Sequence, residues 1–133
     1  MQYKNILLVD DDTDDTEIFQ MAVASFDSNI KISIENNALK SLKKLKETTK
    51  FPDIIFLDYY MPYLDGSEFL KLLREIKGLK KIPVVLYSGQ AGSAIKDVAA
   101  TFKDVKFLKK KSDFRDIVDS LKSIIKSETP ISK

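Results

Sequence analysis

The sequence predicts a doubly wound α/β domain built on a parallel five-stranded sheet. Three observations carry this. Short apolar runs alternate with amphipathic stretches five times along the chain. The runs at Ile6–Val9, Ile54–Leu57 and Val84–Tyr87 lack polar alternation, as strands covered on both faces do. Strands separated by helices imply parallel pairing and right-handed crossovers.

Each element follows from local pattern. Ile6 to Val9 is a buried strand that ends abruptly in acid. Thr13 or Asp14 is the expected cap of the next helix, with Ile18, Met21, Ala22 and Ser25 at helical spacing. Ile30, Ile32 and Ile34 alternate with polar residues, as a half-buried strand does. Leu39, Leu42 and Leu45, interleaved with Lys40, Lys43, Lys44 and Lys46, form an amphipathic helix. Pro52-Asp53 opens the third strand, Ile54 to Leu57. Pro62 and Gly66 bracket a loop. Phe69, Leu70, Leu72, Leu73 and Ile76 then make a helix, with Gly78 as its stop. Pro83 precedes the fourth strand, which ends at Ser88-Gly89. A helix over about 93–101, a fifth strand over 105–109 and a helix capped by Asp113 complete the order. Residues 1–127 form the domain, and 128–133 read as a flexible tail.

The 133 residues suffice for one core. No apolar run approaches the roughly 20 residues of a membrane span, and the start lacks a signal-peptide core. A cytoplasmic, non-membrane protein is expected. There is no cysteine and no histidine, which excludes disulfides, thiolate and Ser-His nucleophiles, and the commonest transition-metal ligand. Chemistry must rest on carboxylates, hydroxyls, lysines and a hard cation. The net charge of +2 is too small to argue for nucleic acid. A basic run, Lys103 to Arg115, reads first as a solvated surface.

In an open parallel sheet, ligands gather at the carboxyl ends of the strands. There the sequence places Asp10-Asp11-Asp12, Asp58, Ser88-Gly89 and Lys109-Lys110-Lys111. Clustered carboxylates need a proton or a cation at neutral pH. Oxygen ligands favour a hard ion, and Mg²⁺ fits because it takes only one or two carboxylates and keeps its waters. A carboxylate can also be a nucleophile that forms an aspartyl-phosphate, with a cation, an ammonium and a hydroxyl stabilising the phosphoryl charge.

These residues resemble a known family. Ile6-Leu7-Leu8-Val9-Asp10-Asp11-Asp12, Asp58-Tyr59-Tyr60-Met61-Pro62 with Asp65-Gly66, Ser88-Gly89 and Lys110 are similar to the motifs of response-regulator receiver domains over residues 4 to 126. The resemblance implies a flavodoxin-like (βα)5 fold with strand order 2-1-3-4-5. It implies phosphorylation of Asp58, and Mg²⁺ held by Asp11, Asp58, the Tyr60 carbonyl and, through water, Asp10. It makes Ser88 and Lys110 the phosphoryl partners, and Ser88 with Phe107 the switch pair. Lys109 is the alternative lysine, but Lys110 lies three residues after Phe107, as the family pattern has it.

Three departures stand out, the first being Phe107, which lacks the hydroxyl of the tyrosine that often fills the family's switch position, so a partner contact through it must be apolar. Lys111 replaces the usual proline after the invariant lysine, which leaves the Lys110–Lys111 bond open between cis and trans. Tyr60 is bulky for its position, so slow loss of phosphate is expected. The implied function is a signalling switch, not an enzyme with turnover. A histidine kinase or phosphotransfer protein supplies phosphate to a monomer or weak dimer. No output domain follows residue 126, so output is expected through an unknown downstream protein or onward transfer. Two other readings are an aspartate-nucleophile hydrolase and a receiver that only scaffolds. The hydrolase normally carries a second acid where Tyr60 stands.

Overall fold

The computed structural model describes residues 3–62, 64–90, 92–128 and 131. Five strands and five helices alternate along them: β1 (Asn5–Val9), α1 (Thr13–Phe26), β2 (Lys31–Glu35), α2 (Ala38–Glu47), β3 (Ile54–Leu57), α3 (Gly66–Arg74), β4 (Val84–Ser88), α4 (Ser93–Thr101), β5 (Val105–Lys109) and α5 (Phe114–Ile125). The strands form one parallel sheet in the order β2-β1-β3-β4-β5. This is the flavodoxin-like arrangement that the sequence predicts.

Side chains alternate across each strand, so the sheet divides the core in two. Leu7, Val9, Ile55, Leu57, Val84 and Leu86 face α2, α3 and α4, where they meet Leu42, Leu45, Phe69, Leu70, Leu73 and Ile95. Ile6, Leu8, Ile54, Phe56, Val85 and Tyr87 face α1 and α5 and meet Phe19, Val23, Ile117, Leu121 and Ile125. Every residue of β3 and β4 is buried, which is why those runs carry no polar alternation.

The face that α1 buries differs from the expected one. Thr16, Phe19, Ala22 and Val23 point inward, and Phe19 meets Phe56 and Tyr87 edge to face, with ring centroids 5.0 and 5.9 Å away. Ile18 and Met21 lie outside, Met21 at 62% exposure. The aromatic side chain takes the core position because it covers more apolar surface.

Four helices begin with a side-chain cap. Asp12, not Thr13 or Asp14, caps α1 by accepting the Asp14 and Asp15 N–H groups. Asn37 caps α2 and Asp113 caps α5. Asp65 and Glu68 form a reciprocal capping box at α3. Gly92, at the start of α4, has no side chain to offer.

Helix α3 ends at Arg74, before the expected stop. The Glu75 and Ile76 N–H groups close back on the Leu72 and Leu73 carbonyls. Gly78 instead serves the following loop, with φ +94° and its α-carbon against the Phe51 ring. There a side chain would be strained by the backbone and crowded by the ring. The Arg74 guanidinium donates to the carbonyls of Leu79, Ile82 and Lys103, tying this loop to the turn before β5. Of the expected tail, Ile131 lies half-buried against the α1–α5 cluster. No helix among the described residues is long and apolar enough to cross a membrane.

Candidate functional site

The strand ends deliver the site. In β1–β3 register Val9 lies opposite Leu57, so Asp10 and Asp58 leave adjacent strands at the same level. The Asp58 N–H donates to the Val9 carbonyl (2.9 Å), and the Asp10 N–H donates to the Glu35 carbonyl (3.0 Å). Both backbones are fixed by the sheet before any side chain acts.

Asp10 is 1% exposed. Its Oδ1 accepts the Asp12 N–H at 2.9 Å, and its Oδ2 accepts from Lys110 Nζ at 2.9 Å. Both oxygens of this buried carboxylate are thus partnered, which fixes its position at the sheet edge. Asp11 is exposed at the mouth. Carboxylate oxygens of Asp10, Asp11 and Asp58 all lie within 4.8 Å of one another. That donor set is hard, anionic and convergent, so it suits a divalent cation that prefers oxygen.

Asp58 is partly covered, and its Oδ1 accepts the Tyr60 N–H at 3.3 Å. Burial, first, pushes its carboxyl up to about 6. The Lys110 ammonium and the Tyr60 N–H pull against this, while the charges of Asp10 and Asp11 add to it. The Tyr60 ring, 49% exposed, rests edge-on against Tyr59 at 5.0 Å. Tyr59 in turn leans on Gly66, where a β-carbon would stand 2.6 Å from its ring.

Lys110, not Lys109, turns its ammonium into the cluster. Lys109 is exposed. Nζ of Lys110 lies 2.9 Å from Asp10, 2.9 Å from Asp15 and 3.8 Å from Asp58, over the Tyr87 ring at 5.4 Å from its centroid. Burial would release the Lys110 proton more easily. The hydrogen bonds to Asp15 and Asp10 and the charges of Asp10 and Asp58 outweigh that and raise its pKa. The Lys110–Lys111 bond is trans, and no peptide bond among the described residues is cis.

Ser88 ends β4 and is 1% exposed. Its Oγ accepts the Gln90 N–H at 3.1 Å, and its carbonyl accepts the Lys110 N–H at 2.7 Å. The two strand ends that carry Ser88 and Lys110 are therefore joined by main chain. Phe107 lies half-buried on the α2–α4 side of the sheet, packed against that core.

The structure thus brings Asp10, Asp11, Asp58 and Lys110 together and sets Ser88 on the next strand. Asp15 and Tyr87 are additions that sequence reasoning did not place at the site. The signal for Asp15 was its position three residues after the true cap, Asp12, where an acid sits over the helix start. For Tyr87 it was strand alternation, which points it away from the face that Ser88 takes.

The sequence matches the response regulator receiver domain family over residues 6–122. Over 123 residues it is 29% identical to a probable transcriptional regulator, ycf29, of Porphyra purpurea, covering 91% of this chain and 56% of that protein. It spans between 5% and 56% of the length of the first curated relatives that it matches. In fold it is similar to the phosphorylated cyanobacterial phytochrome response regulator RcpA, with a TM-score of 0.81 and 21% identity over 98% of this chain and 99% of that one. It is likewise similar to the Mn²⁺-bound form of response regulator Rcp1, with a TM-score of 0.79 and 24% identity over 96% and 98%. The chain belongs to the response regulator receiver domain family, the receivers of two-component signalling.

Proposed function

We propose that this domain is a phosphoacceptor switch: Asp58 takes a phosphoryl group from a phosphohistidine in a histidine kinase or phosphotransfer protein, with Mg²⁺ at the acidic cluster. The observation that carries this is the convergence of three carboxylates with one ammonium at 3.8 Å from Asp58. An Asp58 oxygen forms a bond to phosphorus as the phosphorus–nitrogen bond of the donor breaks, its electron pair leaving with the imidazole. Asp10, Asp11, Asp58 and the Tyr60 carbonyl would hold Mg²⁺, which supplies neutralisation of the phosphoryl oxygens. The Lys110 ammonium and the Ser88 hydroxyl are the protein's own donors to those oxygens. Ser88 and Phe107 form the two-state element that reports the modification.

These 133 residues hold no histidine, so the phosphoryl donor lies outside them, on a phosphohistidine domain or a small acyl phosphate. Exposed apolar side chains beside the carboxylates favour a protein surface. Leu39 lines a concavity with Asp11, Ile18 lines one with Asp15 and Lys110, and Tyr60 stands two residues from Asp58. The chemistry is modification of the domain's own carboxylate, not turnover, because the position two after Asp58 holds Tyr60 and no acid. Output runs through contact with a downstream protein or through onward transfer.

Intact-protein mass after incubation with acetyl phosphate and Mg²⁺ tests the reading. A Mg²⁺-dependent gain of about 80 Da, the mass of one phosphoryl group on a carboxylate, that disappears in Asp58→Asn is expected. No gain under conditions where a control receiver reacts would refute it.

A further inference from the structure

Lysine has three N–H donors. In Lys110 two of them are directed at carboxylates, Asp10 and Asp15, each at 2.9 Å, and Asp58 is left at 3.8 Å. The two partners differ in freedom. Asp10 is buried, and its second oxygen is already held by the Asp12 N–H. Asp15 sits on the first turn of α1 with its side chain 38% exposed, so it is the partner that can let go. The Tyr87 ring lies under the same ammonium, on the α1–α5 side of the sheet. Lys110 is therefore drawn toward α1 as well as toward the phosphoacceptor.

We infer that Asp15 is a positioning residue: it holds the Lys110 ammonium toward α1 and competes with a phosphoryl group on Asp58 for it. The inference rests on the phosphoacceptor reading above and deepens it. A phosphoryl oxygen and the Asp15 carboxylate are rival anions for one cation, and Nζ stands 3.8 Å from Asp58, so drawing the ammonium into hydrogen-bond reach of the first loosens its hold on the second. Asp15 thereby sets how strongly Lys110 engages the phosphorylated state. It touches neither Mg²⁺ ligand duty nor the reacting atoms in this account.

The test uses beryllofluoride, a phosphoryl mimic, titrated calorimetrically into the full chain with saturating Mg²⁺. Asp15→Asn should bind it about fivefold more tightly than the native chain, the scale of one partly exposed ion pair. Asp15→Glu, which restores the charge, should return toward the native affinity. In a Lys110→Met background, which keeps the apolar stem, Asp15→Asn should change affinity less than about twofold, because the coupling runs through the ammonium. A role confined to the α1 terminus would instead shift the melting temperature and leave this difference between backgrounds at zero. Unchanged or weaker binding by Asp15→Asn, or an equal effect in both backgrounds, overturns the inference while native binding keeps the phosphoacceptor reading. Failure of the folded native chain to bind beryllofluoride with Mg²⁺ overturns both.

Discussion

Replacing Asp58 by asparagine should stabilise the unphosphorylated, metal-free domain at neutral pH. The carboxyl of Asp58 is raised from 3.8 to about 6, chiefly by burial and with repulsion from Asp10 and Asp11. A group with its folded pKa above its unfolded value favours folding when protonated and opposes it when ionised. Below about pH 4 both states hold the proton and there is no penalty. Between about 4 and 6 the unfolded chain loses the proton first, and the penalty grows. Above about 6 it is complete. The rise corresponds to about 3 kcal/mol. Water at the open side of the site screens part of it, which leaves about 1–2 kcal/mol. Asparagine keeps an acceptor for the Tyr60 N–H, and Lys110 keeps Asp10 and Asp15, so little is lost. Urea unfolding with a chelator present, at intervals from pH 4 to 8, measures this directly. Asp58→Asn should be more stable by about 1–2 kcal/mol at pH 7.5, with the gain fading toward pH 4. Equal or lower stability at pH 7.5 would refute the account of a strained carboxylate.

A cation held by the three carboxylates, Mg²⁺ on the proposal above, should relieve the same repulsion. At tenfold above its dissociation constant it should add about 1.4 kcal/mol to the native chain by linkage and close most of the gap to Asp58→Asn in the same unfolding assay. Asp12→Ala removes the acceptor for two amides at the start of α1 and should cost about 1 kcal/mol, read from the urea midpoint at constant m-value. Arg74→Met leaves three carbonyls without their charged donor and should cost about 2–3 kcal/mol, with faster amide exchange in the turn before β5. Gly66→Ala forces its β-carbon onto the Tyr59 ring at 2.6 Å and should cost about 1–3 kcal/mol, visible as a changed tyrosine near-ultraviolet signal.

The fold was legible because burial on both faces leaves a plain mark. Ile54–Leu57 and Val84–Tyr87 are runs with no polar residue, and both are strands without an exposed position. The site was legible because strand ends bring Asp10, Asp58 and Lys110 to one level whatever the helices do. The buried face of α1 was less clear. Ile18 and Phe19 are neighbours, both apolar, and helical spacing fits either. The choice is made by Phe56 and Tyr87, 37 and 68 residues after Phe19, whose rings receive Phe19. The α1 cap was misplaced for a related reason. Asp12, Thr13 and Asp14 all suit a cap, and the chain direction on leaving β1 decides which takes it. Asp15 was missed because its place after Asp12 marks only a helix start, while the partner that brings it to the site lies 95 residues away.

The missing side-chain cap at α4 has a consequence for where this domain opens. Helices α1, α2, α3 and α5 are each fastened at their first turn by a carboxylate or amide side chain. Helix α4 has Gly92 at its cap position and buries two residues, Ile95 and Ala99. Helices α1 and α5, by contrast, are joined by the Asp27–Lys126 ion pair near their ends. Local unfolding draws on the segments with fewest buried contacts and unsatisfied ends. The first turn of α4 should therefore exchange its amides at a fraction of the global unfolding free energy. In sequence, four residues, 89–92, separate Ser88 from the first residue of α4, Ser93. The helix that buries the fewest side chains and has no side-chain cap thus follows Ser88 after one short loop, so a shift of the β4 end should be felt first in the first turn of α4.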